Sequence, residues 1–266
     1  MSNRALILNN LLDIGGVATM NNFYSESAKS ITGNLLQTRK LFKFYLQQGL
    51  IFKIPTIGKT RNPSQETFYC LTKKGAQYIG RPEEYKYKRY GRSPNNIMHE
   101  SMKFDIAMSF LRLYPDKSFK FAYDKSLYHV KPDIIVKVED GKRLKYLLIE
   151  IERKKTVERV LKEKIEPYEK MFNMMIEKKS HNPFDYLILF IYTDIWFDIF
   201  ARPQSYANPV LANQIVKANM LVKNLVNKYC KHLPTNRYLF TGFHNFYRIH
   251  DSVWLTTTGN RVALPL

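Results

Sequence analysis

The chain has 266 residues, 45% of them hydrophobic and 24% charged, proportions that exclude wholesale disorder. Lys and Arg number 42 against 23 Asp and Glu, a net charge of +19, so the chain should attract polyanions, nucleic acid foremost. Only Cys70 and Cys230 occur, which excludes a disulfide scaffold or a Cys-rich zinc site and suits a reducing cytoplasm.

The first elements read as a helical module. The apolar stretch in MSNRALILNNLLDIGG is too short for a signal peptide; its spacing predicts a helix from Ala5 to Leu12, stopped by Gly15-Gly16. A second helix is expected from Ile31 to Leu46, where Leu35, Leu36, Arg39, Phe42 and Leu46 recur at three- and four-residue steps. Gly49 closes it, and Leu50–Ile54 turns extended. Thr56–Thr67 is polar and basic, Phe68–Leu71 is a second short strand, and Thr72-Lys73-Lys74-Gly75-Ala76 opens a short helix. Helices followed by a hairpin with a basic tip resemble a winged helix-turn-helix. Such a module sets a helix in the major groove and a basic tip on the phosphates. The residues expected to meet DNA are Gln37, Arg39, Lys40 and Lys43 on the helix, with Lys59, Arg61, Lys73 and Lys74 around the wing. A winged helix used for protein contact is the alternative.

Residues 81–95 lack hydrophobic periodicity and carry Pro82, Gly91 and Pro94, so they read as a linker. Tyrosines alternate with bases there. That pattern suits either a stacking strip along a nucleic-acid strand or a linker packed by its own rings.

The middle segment carries the chemistry. Ile97–Leu111 reads as an amphipathic helix, with His99 and Glu100 at the start of its polar side. Lys131–Val138 is a strand beginning Pro132-Asp133, Glu139–Lys142 is a hairpin turn, and Leu144–Glu152 is the returning strand. Val157–Met175 is a long charged helix, and Tyr186–Tyr192 is an almost continuously apolar strand of the kind found inside a covered sheet. A helix, a strand hairpin, a helix and a further strand in this order match the core of the PD-(D/E)xK nuclease fold. Strand alternation puts Glu150 and Glu152 on one face with Ile151 opposite, and the hairpin brings Asp133 to the same end. Three clustered carboxylates repel one another unless a cation joins them, and hard oxygen ligands favour Mg²⁺ or Mn²⁺. Glu100 could supply a fourth carboxylate; His99 could act as ligand, phosphate contact or cap. Lys154, Lys155 and Lys164 could meet phosphate or pair with Glu158, Glu163 and Glu166 on the helix. Tyr168 reads chiefly as packing, with facing the site as the alternative. The run DYLILFIYTDIWFDIF is broken by Asp194 and Asp198, so no membrane span is expected.

The winged-helix pattern with Leu71-Thr72-Lys73-Lys74-Gly75 is followed by His99-Glu100, Pro132-Asp133, Glu150-Ile151-Glu152 and Lys164-x-x-x-Tyr168. Together these resemble the replication-relaxation family, which includes the MobC-type plasmid relaxases. The similarity runs from about residue 5 to 200. It implies a metal-dependent enzyme that nicks a plasmid or mobile-element origin in mobilisation or replication. It also implies Asp133, Glu150 and Glu152 as metal-binding catalytic residues and a cytoplasmic setting among other mobilisation or replication proteins. Many related nucleases carry Lys at the place of Glu152; Lys154 is the candidate replacement. Two other functions stay open: a transposition or defence endonuclease, and a non-catalytic winged-helix accessory protein. No His-hydrophobic-His relaxase motif occurs among the six histidines.

In the tail, Asn208–Lys231 reads as a helix, while Arg237–Tyr247 and Val253–Leu264 look extended about a turn at Thr256–Asn260. The expected class is α/β (α+β). A winged helix-turn-helix over 1–80 and a basic Tyr-rich linker over 81–95 precede a restriction-endonuclease-like mixed-sheet α/β domain over 96–266. Net charge by segment is +10 over 1–95, +2 over 96–200 and +7 over 201–266, so the carboxylates fall in the near-neutral middle.

Overall fold

The computed structural model describes residues 3–14, 17–20, 23, 35–54, 67–86, 94–123, 125–141, 143–152, 158–179, 181–192, 224, 237–242 and 248–266. These fall into two compact units, the first running to Met108 and the second starting at Ser109. Among the described residues no helix is long and apolar enough to cross a membrane. The expected helix at Asn208–Lys231 lies outside the described residues apart from Asn224.

In the first unit, α1 (Asn3–Asp13) and β1 (Ala18–Thr19) precede α2 (Leu35–Gln47), β2 (Ile51–Lys53), β3 (Phe68–Leu71) and α3 (Lys73–Tyr78). The strands form an antiparallel sheet in the order β1-β3-β2. Helix α2 ends where Gly49 adopts φ +66°, a left-handed turn that glycine takes without a Cβ penalty. The Leu50 N–H reaches the Tyr45 carbonyl at 2.8 Å and the Gly49 N–H reaches Leu46 at 3.0 Å, the paired bonds of a Schellman stop. The packed side of α2 is Thr38, Phe42 and Tyr45, all buried, whereas Leu36 is 61% exposed. Spacing therefore located the helix but not its inner face. Thr72 caps α3, its hydroxyl oxygen accepting from the Gly75 N–H at 2.9 Å and donating to the Gly49 carbonyl at 2.7 Å.

Part of the segment read as a linker is anchored. Arg81 donates to Asn9 Oδ1 at 3.0 Å and Asp13 Oδ1 at 2.5 Å on α1, and to both carboxylate oxygens of Glu84 at 2.6 Å. Pro82–Glu84 is a single 3₁₀ turn, and α4 (Pro94–Leu113) begins within the same segment. Helix α4 is not amphipathic as expected: every side chain from Ser101 to Phe110 is buried, including Lys103 and Asp105. Burial of these charges requires partners, and Lys103 Nζ holds Glu100 Oε1 at 3.0 Å.

The second unit is a mixed α/β layer around a seven-stranded sheet. Strands β4 (Ser118–Tyr123), β5 (Ile134–Asp140), β6 (Arg143–Glu152), β7 (Tyr186–Tyr192), β8 (Tyr238–Gly242), β9 (Trp254–Leu255) and β10 (Arg261–Val262) lie side by side in chain order. Neighbours are antiparallel except β6–β7 and β7–β8, which are parallel. The parallel step from β6 to β7 needs a crossover, and α5 (Glu158–Lys178) lies in it. The hairpin is tighter than expected: Glu139 and Asp140 stay in β5, Asp140 pairs with Arg143, and Gly141 turns the chain at φ +58°. Strand β4 has no counterpart among the elements expected from the sequence. The tail completes the sheet, and the expected Thr256–Asn260 turn lies between β9 and β10.

Ile165, Tyr168, Met171, Phe172 and Met175 form the buried stripe of α5. They pack on Leu148, Ile188, Phe190, Tyr192, Tyr238 and Phe240, alternate residues that share one face of the sheet. Register places Glu150 beside Phe190 and Phe190 beside Phe240 on that face. The C-terminal end of β6 thus carries a carboxylate into an aromatic, helix-covered layer.

Candidate active site

The chain enters β5 through Asp133, one residue before Ile134, which pairs with Ile149 of β6. Asp133 Oδ2 accepts from the Ile151 N–H at 2.8 Å, so this carboxylate is tied to the backbone between Glu150 and Glu152. Glu150 and Glu152 are each 6% exposed. The hairpin and strand alternation bring the three expected carboxylates to one end of β6.

Helix α5 supplies their partners. Lys164 Nζ reaches Glu150 Oε2 at 2.8 Å and also pairs with Glu152 Oε1. One turn on, the Tyr168 hydroxyl donates to Glu150 Oε1 at 2.5 Å. Positions 164 and 168 share a helix face, and Ile165 and Tyr168 turn that face toward the sheet. Both Glu150 oxygens are therefore held from α5. Lys164 pairs across to β6; it does not take the helix-internal alternative.

Burial pushes the Glu150 pKa up, opposed by the Lys164 charge and reinforced by Asp133. Burial works against the Lys164 charge, yet Glu150 and Glu152 outweigh it and hold its pKa above the ordinary lysine value. Burial first, and the Glu150 charge second, raise the Tyr168 hydroxyl well above a free tyrosine, so Tyr168 acts as a hydrogen-bond donor. Replacing Tyr168 by phenylalanine leaves a buried carboxylate oxygen short of its donor. We expect this change to cost about 1–3 kcal/mol of stability, read as a lower urea midpoint at unchanged slope.

The donor chemistry suits a hard divalent cation. Three carboxylates against one ammonium leave a formal charge of −2, and all the oxygens are hard. The arrangement differs from the sequence expectation in one respect. Among the described residues no three His, Cys, Asp or Glu side chains are gathered to hold a metal ion, and the Lys164 ammonium joins Glu150 to Glu152.

The other expected residues are placed as follows. Lys154 lies outside the described residues, as do Lys59 and Arg61. His99 and Glu100 are half-buried on α4 and belong to the first unit, whereas the carboxylate cluster belongs to the second. Gln37, Arg39, Lys40 and Lys43 are exposed on α2, a helix with no acidic residue, and Lys73 and Lys74 are exposed in the first turn of α3. Lys154 is the expected replacement for the lysine that related nucleases carry at the place of Glu152, and it lies outside the described residues; the cation paired with Glu152 is Lys164. Lys164 comes from the crossover helix, and the legible signal for it was the Lys164–Tyr168 step flanking the buried stripe.

No family model matches the chain, and no curated protein matches it. The resemblance to the replication-relaxation family thus gains no support from these comparisons. Among solved structures the chain is similar to restriction endonuclease FokI, with a TM-score of 0.33 and 9% identity over 92% of this chain. The match spans 43% of the FokI chain. At that score the likeness assigns neither a residue nor an activity.

Proposed function

We propose that the protein is a metal-dependent DNA endonuclease that recognises DNA through its first unit and cleaves a phosphodiester through the carboxylates of its second. The observation that carries this reading is the cluster at the end of β6: Asp133, Glu150 and Glu152 with Lys164 and Tyr168. Buried carboxylates with one shared ammonium are costly for stability alone and are characteristic of sites tuned for chemistry.

In this reading Asp133, Glu150 and Glu152 would be the residues to hold Mg²⁺ or Mn²⁺. The bound cation would lower the pKa of a water and offset charge on the scissile phosphate. Tyr168 fixes the Glu150 carboxylate by its hydroxyl. The Ile151 N–H fixes Asp133. Phe190 and Phe240 line the same face of the sheet and keep water from the buried side. Lys164 supplies a positive charge at the cluster, and Lys154 remains the proposed replacement for the lysine of related nucleases.

The winged-helix assignment of the first unit is supported by the β1-β3-β2 order, the α2–β2 connection and the acid-free outer face of α2. On that face Lys40 and Lys43 stand one turn apart. Replacing both by alanine should weaken binding to all duplex sequences alike. It should also flatten the plot of log affinity against log salt, by a slope of about one for each phosphate no longer neutralised. Titration of labelled duplex at several salt concentrations reads both effects. An unchanged slope would remove α2 from the DNA interface.

The relaxase reading rests on the motif resemblance, and a nick at a plasmid origin is its product. A single-strand break in supercoiled plasmid favours it over the transposition or defence endonuclease, which makes linear product. A chain that binds DNA and never cuts it is the accessory-protein alternative.

A further inference from the structure

We propose that the second unit carries a binding platform for single-stranded nucleic acid, built from the exposed rings of Phe184, His181 and His129. It goes beyond the endonuclease reading and needs neither cleavage nor a metal ion. The platform lies at the far end of β6 from the carboxylates. Tyr186, which follows the turn bearing Phe184, pairs with Tyr146, six residues before Glu152 and so roughly 20 Å from it along the strand.

The rings are exposed yet held in place. Phe184 is 54% exposed on the 3₁₀ turn Pro183–Asp185, directly before β7. Its N–H donates to Asn182 Oδ1 at 3.1 Å, and Arg237 donates to its carbonyl at 2.7 Å. The same guanidinium stands 4.9 Å from the ring centroid, while more than half the residue stays open to solvent. His181 is exposed on the same connection. Its Nδ1 is hydrogen-bonded to the Tyr128 hydroxyl at 2.5 Å, and its ring stands edge-on to Tyr186 with centroids 6.3 Å apart. Rings fixed in this way offer stacking faces with little ordering left to lose on binding.

Backbone strain and charge point the same way. Leu127 and Val130 exchange both backbone hydrogen bonds, at 2.9 and 3.0 Å, around Tyr128 at φ +53° and His129 at φ +103°. A two-residue turn that is left-handed at both positions favours Asn-Gly, so Tyr-His holds this turn under strain. The turn sets the exposed His129 beside the Tyr128–His181 contact. Lys131 follows it, and Lys178 and Lys179 precede His181, all three exposed. With Arg237 they outnumber Glu177 and Asp185, the acids of the same segments. Rings interleaved with cations suit a strand whose bases are free to stack while its phosphates are neutralised. A duplex keeps its bases stacked on one another and offers such rings nothing to hold.

The test is an anisotropy titration, in EDTA, of a labelled oligothymidylate about twelve nucleotides long and of a labelled duplex. The chains are the wild type, Phe184→Ala, Phe184→Trp and His181→Ala. Each alanine change should weaken single-strand binding about tenfold and leave duplex binding within about twofold, while Phe184→Trp keeps the wild-type affinity. No single-strand binding by the wild type, unchanged affinity in both alanine chains, or equal losses on both probes would overturn the platform and leave these rings to a protein partner. Because His181→Ala also loosens the strained turn, a second measurement uses the wild type alone. Photocross-linking to an iodouracil-substituted single strand, read by mass spectrometry, should place adducts on Phe184 or His181. Adducts confined to α2 and α3 of the first unit would contradict the platform. Neither readout involves cleavage, so both stand apart from the outcome at the carboxylates.

Discussion

Replacing Glu150 by glutamine should lower DNA cleavage by roughly 10³-fold, the scale on which a group acting at the reacting centre is felt. The change keeps the shape of the side chain, and the amide oxygen still accepts from the Tyr168 hydroxyl. The cluster loses one negative charge, going from −2 to −1, and Glu152 keeps the ammonium paired. Folding should therefore survive with a modest loss of stability. The exposed bases proposed to meet DNA lie on α2 and α3 of the other unit, so duplex affinity should stay within about twofold of wild type, a difference well below 1 kcal/mol. Single-turnover cleavage and equilibrium binding, measured on the same preparation, separate the two effects. A parallel loss of both would mean that Glu150 holds the fold and takes no part in chemistry.

The second large effect is expected at Gly75. A Cβ there would stand 2.2 Å from the Leu50 carbonyl oxygen and 2.6 Å from Leu71 Cδ1. The nearer obstacle is backbone, and it is not free to move. The same carbonyl accepts from the Thr72 N–H at 3.0 Å, which fixes the start of α3 against the end of α2. Gly75→Ala must either break that junction or tilt α3 off β3. Overpacking of this kind costs about 1–3 kcal/mol where side chains can yield, and a backbone obstacle puts Gly75→Ala at or above the upper end. The expected result is a urea midpoint lowered for the first unit, together with loss of duplex binding. Wild-type stability in Gly75→Ala would show that α3 does not seat as described. A substitution at Gly80 is a useful contrast, since it has φ +75° but nothing within 4 Å of its Cβ position, so only backbone strain should register.

The elements with a strong local signature were readable from residues alone. Tyr186–Tyr192 is uniformly apolar, and it is the fully buried central strand β7. Gly49 marked the end of α2, and its left-handed conformation closes that helix. Asp133, Glu150 and Glu152 were placed together by strand alternation and a hairpin, both local rules, and they meet at the end of β6. What escaped depends on tertiary choice. Strand β4 alternates weakly, with no buried residue, and gains its place by pairing with β5 along its whole length. The inner face of α2 was obscured because Leu36 and Leu46 are apolar yet outward, while Thr38 and Tyr45 are polar-tipped yet buried. Helix α4 hides its charges by pairing them, which no periodicity reveals. Lys164 was one of several lysines on a charged helix. Only the crossover that lays α5 over β6 distinguishes it from Lys162, which pairs with Glu166 on the helix surface.

These carboxylates are expected to cut DNA with a divalent cation. The deciding measurement is supercoiled plasmid incubated with the wild-type chain and Mg²⁺, with EDTA and the Glu150→Gln chain as parallel lanes. Open circles are predicted with the wild type and Mg²⁺, and intact supercoils in the other two lanes. Intact plasmid in every lane, or equal nicking by Glu150→Gln, would contradict the claim.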